Sequence, residues 1–385
     1  MTKTTRSHID DLRGASRLAV EATRGVAALV EKMHVAIASG PAMLGRPLAG
    51  PVRLATGVVY GSIDGIAKLV GAGLDASLAQ LAPLVKASEP SAAREAVQAV
   101  VNGVLGDYLH ETANPLAIEM ELRRRTVDAT AKLVVLVHGS CMTDAQFTRG
   151  GHDHGAALAR DLGYTPVYLR YNSGRHISTN GRAFAAQLEA LVASWPVAVA
   201  ELVLIGHSMG GLVARSACHV AAADGLAWPA KLRALITLGT PHHGAPLERG
   251  GNWFEQLLDL SPYSAPLGVL GRIRSAGVTD LRFGNVLDEH WQGRDRFERG
   301  TDTRTPCPLP AGVRCYALAG TLSPEDGPHL RGDGLVPVDS ALGKHARPEL
   351  CLAFPETQCR IAFGTGHVDL LGASVYPTLH GWLAA

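Results

Sequence analysis

An excess of charge of either sign is missing from this sequence: Lys and Arg number 36 against 35 Asp and Glu, a formal net charge of +1. The basic residues do not gather into one stripe, which excludes a nucleic-acid footprint. Long apolar runs are missing too. The most apolar stretch, "GPVRLATGVVYGSIDGIAKLVGAGLDASLAQLAPLV", is broken by Arg53, Asp64, Lys68 and Asp75. It never reaches the ~20 uncharged residues that span a bilayer. The opening "MTKTTRSHIDDLRGASRLAV" has no apolar core followed by a small-residue cleavage site, which predicts a cytoplasmic protein. The six cysteines, Cys141, Cys218, Cys307, Cys315, Cys351 and Cys359, form no C-x-x-C. Metal knuckles are thereby disfavoured, and the thiols read as reduced, small core residues, with Cys307 and Cys315 spaced closely enough to be the exception.

What is present is apolar mass: 46% of 385 residues are hydrophobic, enough for one large domain and an appendage. Residues 1–130 are rich in Ala, Leu, Val and Gly. Spacing such as Leu74, Leu78, Leu81 and Val85 predicts an all-helical region without strands. Such helices either pack on the rest of the molecule or on a second copy, or lie peripherally on a lipid or polymer surface. "ELRRRTVDATA" reads as the link into residues 131–385. There the rhythm becomes strand, loop and helix in alternation, which predicts a mostly parallel sheet covered on both faces. Strands are expected at 133–138, 166–171, 202–205, 234–238, 313–319 and 360–363. A long insertion, about 245–310, separates the fourth from the fifth; loops of that length are usually functional or subdomains.

The chemistry centres on "ELVLIGHSMGGLVARSAC". With 43 glycines in the chain, a G-x-S-x-G pattern arises by chance about one time in four, so context decides. Leu202–Ile205 reads as a buried strand and the residues from Met209 as a helix, which puts Ser208 at a sharp strand-to-helix turn. A serine hydroxyl needs a base and an orienting acid. His367, in "GTGHVDLLG" after the final strand, is the expected base. Asp333, in "RGDGLVP" after the preceding strand, is the expected acid, with Asp326 and Asp339 as alternatives on the same loop. The oxyanion calls for two N–H donors, which Met209 and Ser140 are placed to supply. His152, Asp153 and His154 in "GGHDHG" read as a helix start rather than a metal cluster, because adjacent helical side chains diverge. His242 and His243 are expected near the elbow in a structural role.

Together "VLVHGS", "GHSMGG", "LGTPHHG", "GDGLVP" and "GHVDLL" resemble the α/β-hydrolase superfamily over about 131–385, nearest to bacterial triacylglycerol lipases and PGAP1-like esterases. The resemblance implies a Ser208, Asp333 and His367 triad, an oxyanion hole at Ser140 and Met209, and a cap over 245–310. The cap's Trp253, Phe254, Leu257 and Leu258 would face a hydrophobic acyl group. It also raises calcium at Asp369, but only that one ligand is identified, so neither a metal nor another cofactor is expected. Two departures stand out: Ser140 replaces a frequently large apolar residue, and residues 1–130 have no counterpart in a minimal lipase. The expectation is a serine carboxylester hydrolase acting on a small-molecule or lipid ester through an acyl-enzyme. The same triad would serve a thioesterase, amidase or acyltransferase, and a surface-associated protein with a secondary hydrolase domain is a further alternative. The sequence fixes no oligomeric state.

Overall fold

The computed structural model describes residues 92–126, 128–245, 274–297, 301–327 and 330–384, together with 10–22 and single positions or short pieces at 24, 64–65, 67–70, 72 and 75–76. These fall into two compact units, one drawn from 1–91 with 112–116, the other from 92–111 with 117–385.

In the first unit, residues 10–22 are helical. Arg13 and Arg17 both reach Asp75, at 3.1 and 2.7 Å, and hold its carboxyl down at about 2. Of the predicted spacing, Leu74, Leu78, Leu81 and Val85 lie outside the described residues. No helix among the described residues is long and apolar enough to cross a membrane.

The second unit is built on a seven-stranded sheet. In chain order its strands are β1 (Glu121–Arg124), β2 (Lys132–Val137), β5 (Thr165–Arg170), β6 (Glu201–His207), β7 (Leu232–Leu238), β8 (Arg314–Gly320) and β9 (Cys359–Ala362). Two short strands, β3 (Thr148–Arg149) and β4 (His152–Asp153), make a separate hairpin. The spatial order is β1-β5-β2-β6-β7-β8-β9, with only β1 antiparallel. Six of these strands match the predicted positions to within two residues.

Alternation along the central strands explains the layering. Leu133, Val135 and Val137 of β2, with Leu202 and Leu204 of β6, enter one core, whereas Val134, Leu136, Val203 and Ile205 enter another. Both faces are therefore buried, which is why β2 and β6 read as continuous apolar runs. The first core receives α1 (Ala92–Glu111) through Val100 and Val104, α3 (Ile177–Ala193) through Phe184 and Leu188, and α4 (Met209–Ala223) through Leu212 and Val213. The second receives α2 (His154–Leu162) through Leu158 and α7 (Tyr376–Ala384) through Leu379 and Leu383. Leu133 and Leu204 are wholly buried; truncating either to alanine costs about 2–5 kcal/mol.

The boundary at 130 needs correction. The segment read as a link forms β1, paired residue for residue with β5 from Glu121–Arg170 to Arg124–Val167. Its charged side chains suit a sheet edge, which such residues commonly occupy. Leu122 points into the core while Arg123 binds Glu95 and Asp144 at 2.9 and 3.2 Å. Helix α1 also belongs here: its Gly106 carbonyl accepts from Asn172 and its Gly103 carbonyl from Ser275.

Strand order positions the site. The chain leaves β2 toward β5 and returns to β6 on the other side, so the crossovers diverge between β2 and β6. In open parallel sheets that divergence leaves a crevice at the carboxyl ends of the strands. The loops after β2, β6, β8 and β9 all open there.

Candidate active site

Ser208 sits between β6 and α4 with φ 54° and ψ −127°. An L-residue adopts that conformation at a cost of about 1–3 kcal/mol, offset here by the surrounding bonds. Its N–H donates to Leu238 O at 2.8 Å, and its carbonyl accepts from Gly211 at 3.1 Å. The flanking glycines are obligatory for packing: a Cβ on Gly206 would lie 2.4 Å from Gly211 Cα, and one on Gly210 would lie 2.1 Å from Val137 O.

Asp333 and His367 come together as expected. His367 Nδ1 lies 2.7 Å from Asp333 Oδ2, and the His367 N–H donates to Asp333 O at 2.9 Å. The other carboxylate oxygen, Oδ1, accepts from Leu335 N at 3.0 Å and Val336 N at 2.7 Å. Burial pushes the Asp333 carboxyl up, but His367 and the two backbone donors outweigh it and the net shift is downward. A carboxylate there requires the His367 proton on Nδ1, leaving Nε2 as the acceptor. Asp339, the alternative acid, lies in the short helix α6 (Val338–Ala341) and is exposed. Asp326 is exposed in the same loop.

The His367 main chain is tied to the elbow through His207. His207 Nε2 is 3.0 Å from His367 O, and the two rings are 4.8 Å apart. Among the described hydrogen bonds, none joins Ser208 Oγ to His367; such contacts often tighten only when substrate binds.

The loop after β2 closes against the serine. A Cβ on Gly139 would stand 3.0 Å from Ser208 Cβ. Tyr171 stacks on His138 at 4.4 Å and donates to its carbonyl at 2.8 Å, and Ser173 Oγ accepts from Cys141 N at 3.1 Å. These bonds fix the backbone around Ser140, which is buried at 2% exposure. Met209 N opens α4, where first-turn N–H groups lack helical partners.

Other expected residues fall as follows. Asp153 caps α2, accepting from Ala156 N at 3.0 Å, so "GGHDHG" leads from β4 into a helix start, but His152 Nε2 lies 2.8 Å from His154 Nδ1 and those two side chains meet rather than diverge, because His152 is on the strand. Among the described residues no group of three His, Cys, Asp or Glu side chains is placed to hold a metal ion. Asp369 pairs instead with Arg149 at 2.6 Å. His242 is buried between Arg215 at 3.1 Å and Thr237 at 3.3 Å; burial and then Arg215 hold it neutral. Trp253, Phe254, Leu257 and Leu258 lie outside the described residues. Of the insertion over about 245–310, residues 274–297 and 301–310 are described and include α5 (Ala276–Asp280).

Two histidines were missed as site residues. His207 stands inside the quoted motif, where a histidine directly before the serine of the turn was the available signal. His154 Nε2 bonds Leu370 O at 3.0 Å across 216 residues, and no local pattern announces it.

Sheet order and the strand-to-helix turn at Ser208 define the class: an α/β-hydrolase fold. Residues 128–265 match the family model of the PGAP1-like alpha/beta domain. No curated protein matches the chain. Among solved structures the chain is similar to the mature lipase BlEst2 of Bacillus licheniformis, at 17% identity and TM-score 0.44, covering 69% of this chain and 97% of that one. The thioesterase RedJ of Streptomyces coelicolor is similar at 18% identity and TM-score 0.36, over 68% and 95%. The esterase Pf2001 of Pyrococcus furiosus is similar at 14% and 0.36, over 66% and 83%. Likenesses at this level say nothing of activity.

Proposed function

We propose that the protein is a serine hydrolase of carboxylic esters with a hydrophobic acyl group. Ser208 Oγ attacks the ester carbonyl while its proton passes to His367 Nε2, and Asp333 holds the imidazolium that forms. The negative oxygen is received by the N–H groups of Ser140 and Met209. As the carbon–oxygen bond breaks, the alcohol takes the proton from His367 and leaves an acyl-Ser208. Water then repeats the sequence, giving its proton to His367 and releasing the acid and free serine.

The observation that carries this reading is the buried Asp333–His367 bond of 2.7 Å on loops beside the strained turn of Ser208. Two backbone N–H groups hold one oxygen of Asp333 and leave the other on the imidazole, which suits a histidine that gains charge during turnover. Hydrolysis of p-nitrophenyl esters by Ser208→Ala tests it. The variant should lose ~10³-fold or more in kcat; full turnover would refute the mechanism.

A further inference from the structure

His367 is fixed to Asp333 by its own N–H and ring, but those two bonds join only the acid and base loops. Alignment with the nucleophile needs a third bond, to the strand that carries Ser208. We infer that His207 is a positioning residue for the base: its Nε2–H holds the His367 carbonyl and so sets the imidazole against the serine next door.

The geometry carries this in three ways. His207 is the residue immediately before Ser208, at the end of β6, and is wholly buried. Its Nε2 lies 3.0 Å from a carbonyl oxygen, which can only accept, so Nε2 bears the proton. Its Nδ1 is buried without a partner, as suits a bare acceptor nitrogen rather than a second donor. Burial, with His367 adding to it, pushes His207 down to about 3. A neutral ring matters here, since the His367 ring is 4.8 Å away and must become an imidazolium. A charged His207 would oppose that step.

The inference deepens the hydrolase reading and rests on it for its kinetic arm alone. Two variants test it: His207→Phe keeps ring volume and removes the donor, while His207→Gln restores a donor near the Nε2 position. Ester kinetics should show kcat about 10–100-fold lower in His207→Phe with KM within about twofold, the scale of a misplaced catalytic group. His207→Gln should recover most of the loss. In parallel, long-range 15N–1H spectra of the intact protein report the two ring nitrogens of His367. All three proteins should keep the Nδ1–H tautomer that Asp333 imposes, while the Nε2 resonance should stay in place in His207→Gln and move in His207→Phe as the ring leaves its position against the serine. Equal kcat and an unmoved Nε2 resonance in all three proteins would overturn the inference. So would equal losses in the Phe and Gln variants, which would mean packing rather than a donated bond. Should Ser208→Ala retain turnover, the hydrolase reading falls while the spectra still decide the positioning role.

Discussion

Replacing Asp333 with asparagine removes a charge and keeps a shape, and the loop around it dictates which way the amide turns. Oδ1 accepts from Leu335 N and Val336 N at 3.0 and 2.7 Å. Turning the NH2 toward those donors would leave two buried N–H groups unpaired, at about 1–3 kcal/mol each. The amide oxygen therefore stays on the loop, and the NH2 faces His367 Nδ1. That nitrogen must then accept, which moves the imidazole proton to Nε2, the atom that should take the serine proton. The result is a folded protein with its base in the wrong tautomer, and kcat should fall about 10⁴-fold with little change in KM. Steady-state hydrolysis of a short-chain p-nitrophenyl ester measures this, with far-ultraviolet circular dichroism confirming the fold. Asp339→Asn, in exposed α6, should stay within twofold of wild type. An Asp333→Asn enzyme within tenfold of wild type would refute the assignment, and a larger loss in Asp339→Asn would move the acid to that residue.

Other consequences follow from the same contacts. Gly239→Ala places a Cβ 3.0 Å from Asp333 Oδ2 and 3.2 Å from His367 Nδ1 at φ +56°; it should cost about 1–3 kcal/mol in denaturant titration and most of the activity. Burial pushes His138 and His154 down to about 4 and His207 to about 3. Unfolding lets each recover an ordinary pKa near 6.5 and bind a proton, so stability should fall as pH drops from 6.5 toward 4, by up to about 1.4 kcal/mol per pH unit for each ring. Urea midpoints at pH 7 and pH 5 check the sign; a higher midpoint at pH 5 would contradict it. Asp369 pairs with Arg149 on the surface, so Arg149→Ala should change stability by less than about 1 kcal/mol. Chelation with EDTA should leave turnover unchanged; loss of activity restored by added calcium would show that turnover needs the ion.

The parallel sheet was legible because a strand buried on both faces leaves an apolar run, as in "LVVLV" of β2 and "LVLI" of β6. The elbow was legible because Ser208 lies where such a run meets a helix. Strand β1 was not, since Arg123 and Arg124 at a sheet edge look like Arg residues in a linker. The β3–β4 hairpin, two residues in each strand, is too short for any periodicity to register. Asp333 could be ranked above Asp326 and Asp339 from loop position, but its selection depends on a contact with His367 across 34 residues, which only folding supplies. The bonds of His207 and His154 to the base turn span 160 and 216 residues. Their partners are backbone carbonyls, which carry no sequence signature.

The claim that Ser208 is an activated nucleophile is tested most directly by a fluorescent fluorophosphonate, with the adduct located by peptide mass spectrometry in wild type, Ser208→Ala and His367→Ala. The account predicts a single adduct, on Ser208, abolished by either substitution. Folded wild-type protein that takes no label, or takes it on another residue, would contradict it.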